Sequence, residues 1–473
     1  FNGGSITRAH ATGKVTGTNP NAGLGYVGGL VGANGYSGNG GSISQSYATG
    51  TVTAAAGPIG GLVGHNEGSI TDSYATGAVI GQGSASNIGG FAGVNFVNGT
   101  ISNSYSTGYV AGGSQRGGFV GYNNAGNSAI SNVYWDIQTS GQALGAAGGL
   151  STGITGRTTA QLQGSLPAGF ASSIWGIGTN LYPYLQWRYS TTPHAVSGRV
   201  FSGAGSTALA GATVSAVSAG QLIGSASTGA NGYYYVLGEA SRFDGNGALT
   251  YLEGGSSQGA AFSDRVGYLG IQGLDIYASA MRLVTGQGSL TATRSRYLAT
   301  RGSYTDNDLG FLAPYDFGAL TDTGHGLYLS ASSASYSLDT DLGSGGLLSL
   351  DGGGQFSLSG NRQLSAGGNL DVGDRLTWND NAALTLSTSN GGNIVLGDGI
   401  GAANGSLTLS AAGSVTSNGA VNLGVLNLAN GTWTQMAASL PGFSVTDFRL
   451  GPGATFVRAL GGDGSAATPY RIR

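Results

Sequence analysis

The stretch Gly60 to Val79, GGLVGHNEGSITDSYATGAV, decides the fold, because both of its halves recur along the first 135 residues. The first half returns as GGLVGAN at Gly28 to Asn34, GGFAGVN at Gly89 to Asn95 and GGFVGYN at Gly117 to Asn123, with spacings of 32, 29 and 28 residues. The second half returns as GSISQSYATGTV from Gly41, GTISNSYSTGYV from Gly99 and a decayed SAISNVYWD from Ser128, and a partial copy, GSITRAHATGKV, stands at Gly4. A unit this short cannot bury its own apolar side, so each copy must stack on the next and supply the same core position. Registering the copies puts Ile6, Ile43, Ile70, Ile101 and Ile130 in one column. Tyr47, Tyr74, Tyr105 and Tyr134 form a second column headed by His10, and Asn34, Asn66, Asn95 and Asn123 form a third. The reading is a right-handed parallel β-helix, a β-solenoid whose coils lie about 4.8 Å apart and whose like side chains stack into ladders. The tyrosines are expected to pack inside it; the competing reading is an exposed row that stacks on sugar rings. Insertions at Gly35 to Gly40 and Gly81 to Asn87 are expected as loops on the faces.

Composition agrees with tightly turned β-structure. The chain has 93 glycines in 473 residues and only 8% charged side chains, against averages of about 7% and about 25%. There is no three-residue glycine period and there are only 9 prolines, which excludes collagen; 40% hydrophobic residues and 23 tyrosines argue against a disordered chain. Glycine, Asn and Asp suit the many corners, and Thr, Val, Ile and Tyr suit short strands. A net charge of −3, with Lys14 as the only lysine, offers no basic patch for nucleic acid or anionic lipid. The absence of cysteine excludes disulfides and thiolate metal sites and suits export through an oxidising compartment. No apolar run is long enough for a transmembrane segment.

Further along, the pattern changes twice. Residues 136–193, with Trp135, Pro167, Trp175 and Pro183 as landmarks, read as an aromatic cap over the last coil. They hold a helix start at Thr158 and Thr159 and a closing strand in LYPYLQW, Leu181 to Trp187. From His194 to about Leu312, period-2 runs such as AGATVSAV from Ala210 and NGYYYV from Asn231 alternate with Gly and Asn turns, the mark of an antiparallel β-sandwich insert. Residues 313–473 carry L-x-L strands between Gly, Asn and Asp corners, for example LLSL at Leu347, LTLST at Leu384 and VLNLANG at Val425, and read as a second solenoid of looser period.

The first 135 residues resemble GLUG repeats, and VYWDIQTSGQ, TTAQLQ and LYPYLQW look like the tail that follows such repeats. The 196–236 stretch, with LAGATV and TGANGYY, is similar to carboxypeptidase-regulatory-like and Cna-B-like sandwiches. NGGNIVLGDGI from Asn390 and ATFVRALGGDGSAATPYRI from Ala454 are similar to filamentous-haemagglutinin-like exoproteins of two-partner secretion. The resemblance implies a secreted adhesin or filament-forming structural protein at the outer surface of a Gram-negative bacterium. It further implies an outer-membrane two-partner transporter, contact with host, abiotic or neighbouring-cell surfaces and glycans, and self-association into fibres. The chain is also expected to be a piece of a longer rod.

Little in the sequence suggests catalysis. The four histidines, His10, His65, His194 and His325, are scattered, and only three glutamates occur. The match of Gly23, Gly25 and Gly28 to G-x-G-x-x-G lies in no strand-to-helix unit, so chance accounts for it. No cofactor is expected; the remaining metal candidate is a structural calcium at Asp306/Asp308 or Asp339/Asp341, with Asp244 and Asn246 a weaker site, although turns explain all three. Asp72 reads as a solvated corner, because Gln45 and Asn103 occupy equivalent places. The enzyme alternative is a glycan-active β-helix, a lyase or hydrolase, which would need two carboxylates within about 10 Å of each other.

Overall fold

The computed structural model describes residues 1–18, 25–35, 40–124, 129–203, 205, 207–243, 245, 247–267, 269–312, 324–333, 335–351, 354–378, 381–436 and 443–459. The chain is all-β, with several parallel sheets. Gly23, Ser128, residues 36–39 of the first insertion, Asp244, Asn246 and the end of the Ala454 segment lie outside the described residues.

Each N-terminal coil turns through three parallel sheets. The first carries Ser5–Thr7, Ser42–Ser44, Ser69–Thr71, Thr100–Ser106 and Ala129–Asp136. The second carries Val15–Gly17, Val52–Gly60, Val79–Gly89 and Val110–Gly112, and the third carries Val31–Asn34, Val63–Asn66, Ala92–Asn95 and Val120–Asn123. Register pairs Ile6 with Ile43, Ile43 with Ile70, Ile70 with Ile101 and Ile101 with Ile130, so the isoleucine column is one row of the core. Ile70 and Ile101 are fully buried beside Leu62, Phe91 and Phe119. The opening glycine of each GG pair is forced by close approach: a Cβ at Gly28, Gly60, Gly89 or Gly117 would lie 2.2, 2.0, 1.9 or 2.0 Å from the carbonyl oxygen three residues on.

One corner is left-handed in every coil. Arg8, Gln45, Asp72, Asn103 and Asn132 have φ of 56°, 48°, 49°, 47° and 50°. The next column, serine, repairs the backbone ladder there. Ser46 Oγ donates to the Ser44 carbonyl at 2.8 Å and accepts from the Ala9 amide at 3.1 Å, and Ser73 and Ser104 repeat the pattern one coil further on.

The stack runs past Tyr134, where the sequence reading ended it. Ala146–Gly149 pairs with Val120–Asn123, and Ile154–Arg157 pairs with Ala129–Asp136. Trp135, in register with Ala48, Ala75 and Ser106, fills the interior of this last coil. Glycine makes room for it: a Cβ at Gly118 would stand 2.1 Å from the indole. The insertion at Gly81 to Asn87 is not a loop; it forms register shifts inside the long strand Val79–Gly89.

The sandwich packs His194–Phe201 and Tyr233–Gly238 over the antiparallel set Thr213–Ser218, Gln221–Ser227, Ala248–Glu253 and Ala260–Ser263. Val196, Val200, Val214, Tyr234, Leu252 and Ile276 form its core. In the antiparallel set, parallel pairing begins at Ala260–Ser263, which bonds Ala280–Thr285, which in turn bonds Gly326–Ala331. The second stack therefore grows directly from the sandwich sheet, upstream of residue 313, because one strand edge serves both. Its columns run Leu327, Leu348, Leu370, Ile394 and Val415 on one side and Tyr336, Phe356, Leu376, Ile400 and Val421 on another. Equivalent polar contacts recur at 22 to 24 residues, a tighter period than the sequence suggested. Helix Leu290–Arg301, which the sequence reading did not anticipate, turns Leu290, Thr293, Tyr297 and Thr300 inward, where Leu290 and Tyr297 join the core of this stack.

Candidate functional site: a tyrosine column beneath a lateral strap

Alternation along a strand sends neighbouring side chains to opposite faces. At Tyr47-Ala48 and Tyr74-Ala75 the alanine enters the coil interior, and the tyrosine belongs to a separate cluster. The tyrosines therefore lie on the outside of the coils, and the expected interior packing is corrected: alanine is the residue small enough for the bore at that level. The column itself is as registered. His10 stacks on Tyr47 at 5.1 Å and 10°, Tyr47 on Tyr74 at 4.8 Å and 1°, and Tyr74 on Tyr105 at 5.2 Å and 10°. Register continues from Tyr105 to Tyr134.

The column is nonetheless buried, with Tyr47, Tyr74, Tyr105 and Tyr134 at most 5% exposed. Residues 158–187 cover it by running back down the side of the stack; they form a strap and do not close the last coil. The strap begins at Thr158, whose capping box with Gln161 starts the helix Thr159–Leu162. Leu162, Phe170, Trp175, Tyr182 and Leu185 pack on the tyrosines. In the LYPYLQW segment only Tyr184–Leu185 is a strand, paired antiparallel with Trp175–Gly176. Polar contacts fix the strap coil by coil: Tyr134 Oη donates to the Ala168 carbonyl at 3.0 Å, and Tyr105 Oη donates to the Pro183 carbonyl at 2.6 Å. Trp175 Nε1 donates to Asp72 Oδ1 at 3.1 Å, and Trp187 Nε1 donates to the Gln45 carbonyl at 2.8 Å. Asp72 is thus a corner residue that anchors the strap.

Asp136, fully buried, ties the last coil to the strap. Its Oδ1 accepts from the Gln138 and Thr139 amides at 2.9 and 3.1 Å, and its Oδ2 accepts from the Thr159 and Tyr182 hydroxyls, both at 2.7 Å.

The asparagine column is a continuous amide ladder. Nδ2 of Asn34, Asn66 and Asn95 donates to Oδ1 of the next asparagine at 2.8, 2.8 and 2.9 Å, and Asn123 Nδ2 donates to the Leu150 carbonyl at 2.9 Å. Asn2 adds a rung, donating to Asn34 at 2.8 Å. It was missed, although it stands four residues before Ile6 as Asn66 stands four before Ile70.

A cleft of about 350 Å³ opens where the strap, the tyrosine column and the sandwich strands Gln221–Ser227 and Tyr233–Gly238 meet. Tyr47, Tyr74, Tyr189, Tyr235, Arg188 and Thr49 line it, and among the described residues that line it there is no Asp or Glu. Arg188 Nη1 reaches out of it to Glu239 Oε1 at 2.9 Å, and this contact holds the Glu239 carboxyl below its ordinary value. Burial pushes the phenols of Tyr74, Tyr105, Tyr182 and Tyr235 well above their ordinary 10.0, so they stay protonated near neutrality and can donate.

Residues 23–53 and 56–80 match the GLUG motif. No curated protein and no solved structure matches the chain. The second GLUG segment holds Asn66, Ile70 and Tyr74 together, so the motif is one coil with its three ladder positions. The other residues singled out from sequence do not converge. His10 belongs to the tyrosine column, His65 bonds Glu67 at 3.0 Å, His194 lies against Phe243 and His325 bonds Gln258 at 3.0 Å. Asp306 accepts from Tyr251 Oη, Asp308 from the Gly254 amide, Asp339 from the Thr291 amide and Asp341 from the Gln363 amide. Among the described residues no three His, Asp or Glu side chains gather in a metal-ligating group, and no helix is long and apolar enough to cross a membrane.

Proposed function

We propose that this chain is a stretch of a secreted bacterial surface adhesin or matrix-forming structural protein, not an enzyme, which gives reach and repeated contact to surfaces, glycans or neighbouring cells. The observation that carries the reading is the pairing of like residue with like residue, coil after coil, in two parallel stacks joined through one sandwich. Repetition of this kind multiplies weak contacts, and avidity makes them useful without a reactive pocket. The haemagglutinin-like resemblance of the C-terminal segments and the Cna-B-like or carboxypeptidase-regulatory-like look of residues 196–236 support a place on the outer surface of a Gram-negative bacterium. Export through a two-partner outer-membrane transporter and self-association into fibres belong to the same proposal. No cofactor is needed for it, and nucleic acid is not among the partners it calls for.

The test is retention under flow of beads coated with the purified chain, on polysaccharide-coated and bare surfaces, alongside an assay for new reducing ends or unsaturated sugars. Retention on at least one surface without product formation is expected. Steady release of cleaved polysaccharide would instead establish the glycan-active enzyme.

A further inference from the structure

The cleft beside the tyrosine column has a composition that packing alone does not require. Along the coils that line it the ring is followed two residues later by a threonine on the same outer face: Tyr47 and Thr49, then Tyr74 and Thr76, with His10 and Thr12 below them. The wall is therefore a grid of ring edges and hydroxyls that repeats with the coils, its stacked rings 4.8 to 5.2 Å apart. Opposite it stand Tyr189 and Tyr235, and Arg188 lies 5.0 Å over the Tyr189 ring.

Several of these hydroxyls have unused capacity. Those of Tyr74 and Tyr189 make no hydrogen bond among the described residues. The Tyr235 hydroxyl is buried behind them beside Tyr182, and its ring forms part of the wall. The Tyr74 and Tyr189 hydroxyls can each donate and accept, so a ligand able to do both would bond to them. An apolar ligand would take these hydroxyls out of water without offering them a partner. An anionic ligand would find one cation, Arg188, already neutralised by Glu239. A neutral polyhydroxylated ligand with apolar C–H faces fits both the hydroxyls and the rings.

We propose that this cleft is a binding site for a neutral oligosaccharide, which lies along the coil axis with its hydroxyls bonded to Tyr74, Tyr189 and the Thr49 and Thr76 column. The site deepens the surface-contact reading and rests on it for its biological setting. At about 350 Å³ it is at the small end of ligand sites, which span about 300–1,000 Å³, so it takes one or two sugar rings of a longer chain.

Ligand-observed NMR on the whole chain with maltotriose, cellotriose and mannotriose tests the proposal. Binding of at least one is expected, and the double variant Tyr74→Phe/Tyr189→Phe, with its melting point checked for an intact fold, is expected to bind it about tenfold more weakly. Thr49→Val provides a second variant at the edge of the site, with a smaller loss expected. Failure of all three sugars to bind overturns the proposal, as does unchanged affinity in both variants or saturation only by an unrelated peptide. The bead assay separates the two readings. Full surface retention by variants that no longer bind trisaccharide places adhesion elsewhere while the cleft stands, and trisaccharide binding without retention removes the adhesin reading alone.

Discussion

Asn66 shows how much one side chain can hold in a structure of this kind. It donates to Asn95 and to the Gly68 carbonyl, accepts from Asn34, and is fully buried. Replacing it with alanine removes the shortest acceptor of the Asn34 side-chain amide and the donor to Asn95 Oδ1, both at a buried level between coils. Asn66→Ala is therefore expected to cost about 2–4 kcal/mol, read as a lower denaturant midpoint. The left-handed corner gives a prediction of opposite sign. Gln45 sits at φ 48°, where an ordinary L-residue costs roughly 1–2 kcal/mol and asparagine costs less. Asn103 and Asn132 already occupy the same corner. Because the contact from Trp187 is to the Gln45 backbone, Gln45→Asn keeps it, and a gain of about 0.5–1 kcal/mol is expected from the same measurement.

At the scale of elements, the strap depends on Asp136. Removing this carboxylate leaves the Thr139 amide and the Tyr182 and Thr159 hydroxyls without their acceptor. Asp136→Ala is expected to lower stability by about 3 kcal/mol or more, and to expose Phe170, Trp175 and Tyr182 to chymotrypsin before the coils unfold. Cleavage first within the coils would count against that order. The elements also show what the sequence could and could not reveal. Like residues at coil spacing were readable as columns because stacking demands identity, and the serine column at Ser46, Ser73 and Ser104 follows the same rule. Which face the tyrosines take was not readable, since both Tyr and Ala tolerate a strand and only the width of the bore decides. The strap's course was hidden for a related reason: its partners lie 78 residues away at Tyr105 and 142 at Gln45. Helix Leu290–Arg301 escaped because its buried stripe is half threonine. Thr293 is satisfied by the Ser289 carbonyl at 2.9 Å and by Tyr336 Oη at 2.9 Å, so no apolar period marks it.

For the molecule as a whole, the buried phenols set an alkaline limit. Tyr74, Tyr105, Tyr182 and Tyr235 have pKa values raised by burial, so below pH 10 both folded and unfolded chains keep these protons. Above it the unfolded chain loses them first, and stability falls as pH rises. The loss is about 1.4 kcal/mol per tyrosine per pH unit beyond 10, so melting temperatures are expected to be flat from pH 7 to about 9.5 and to drop steeply above about pH 10.5. A flat profile to about pH 12 would show that these phenols reach water. The return path of the strap has a mechanical consequence as well. By doubling back to Gln45, the chain leaves the first stack at its flank beside the early coils, so residue count overstates how far the protein can extend. Tension arriving from the downstream part would load Trp187 and Trp175 in shear along several coils at once, and the terminal coil would be spared from being peeled off singly.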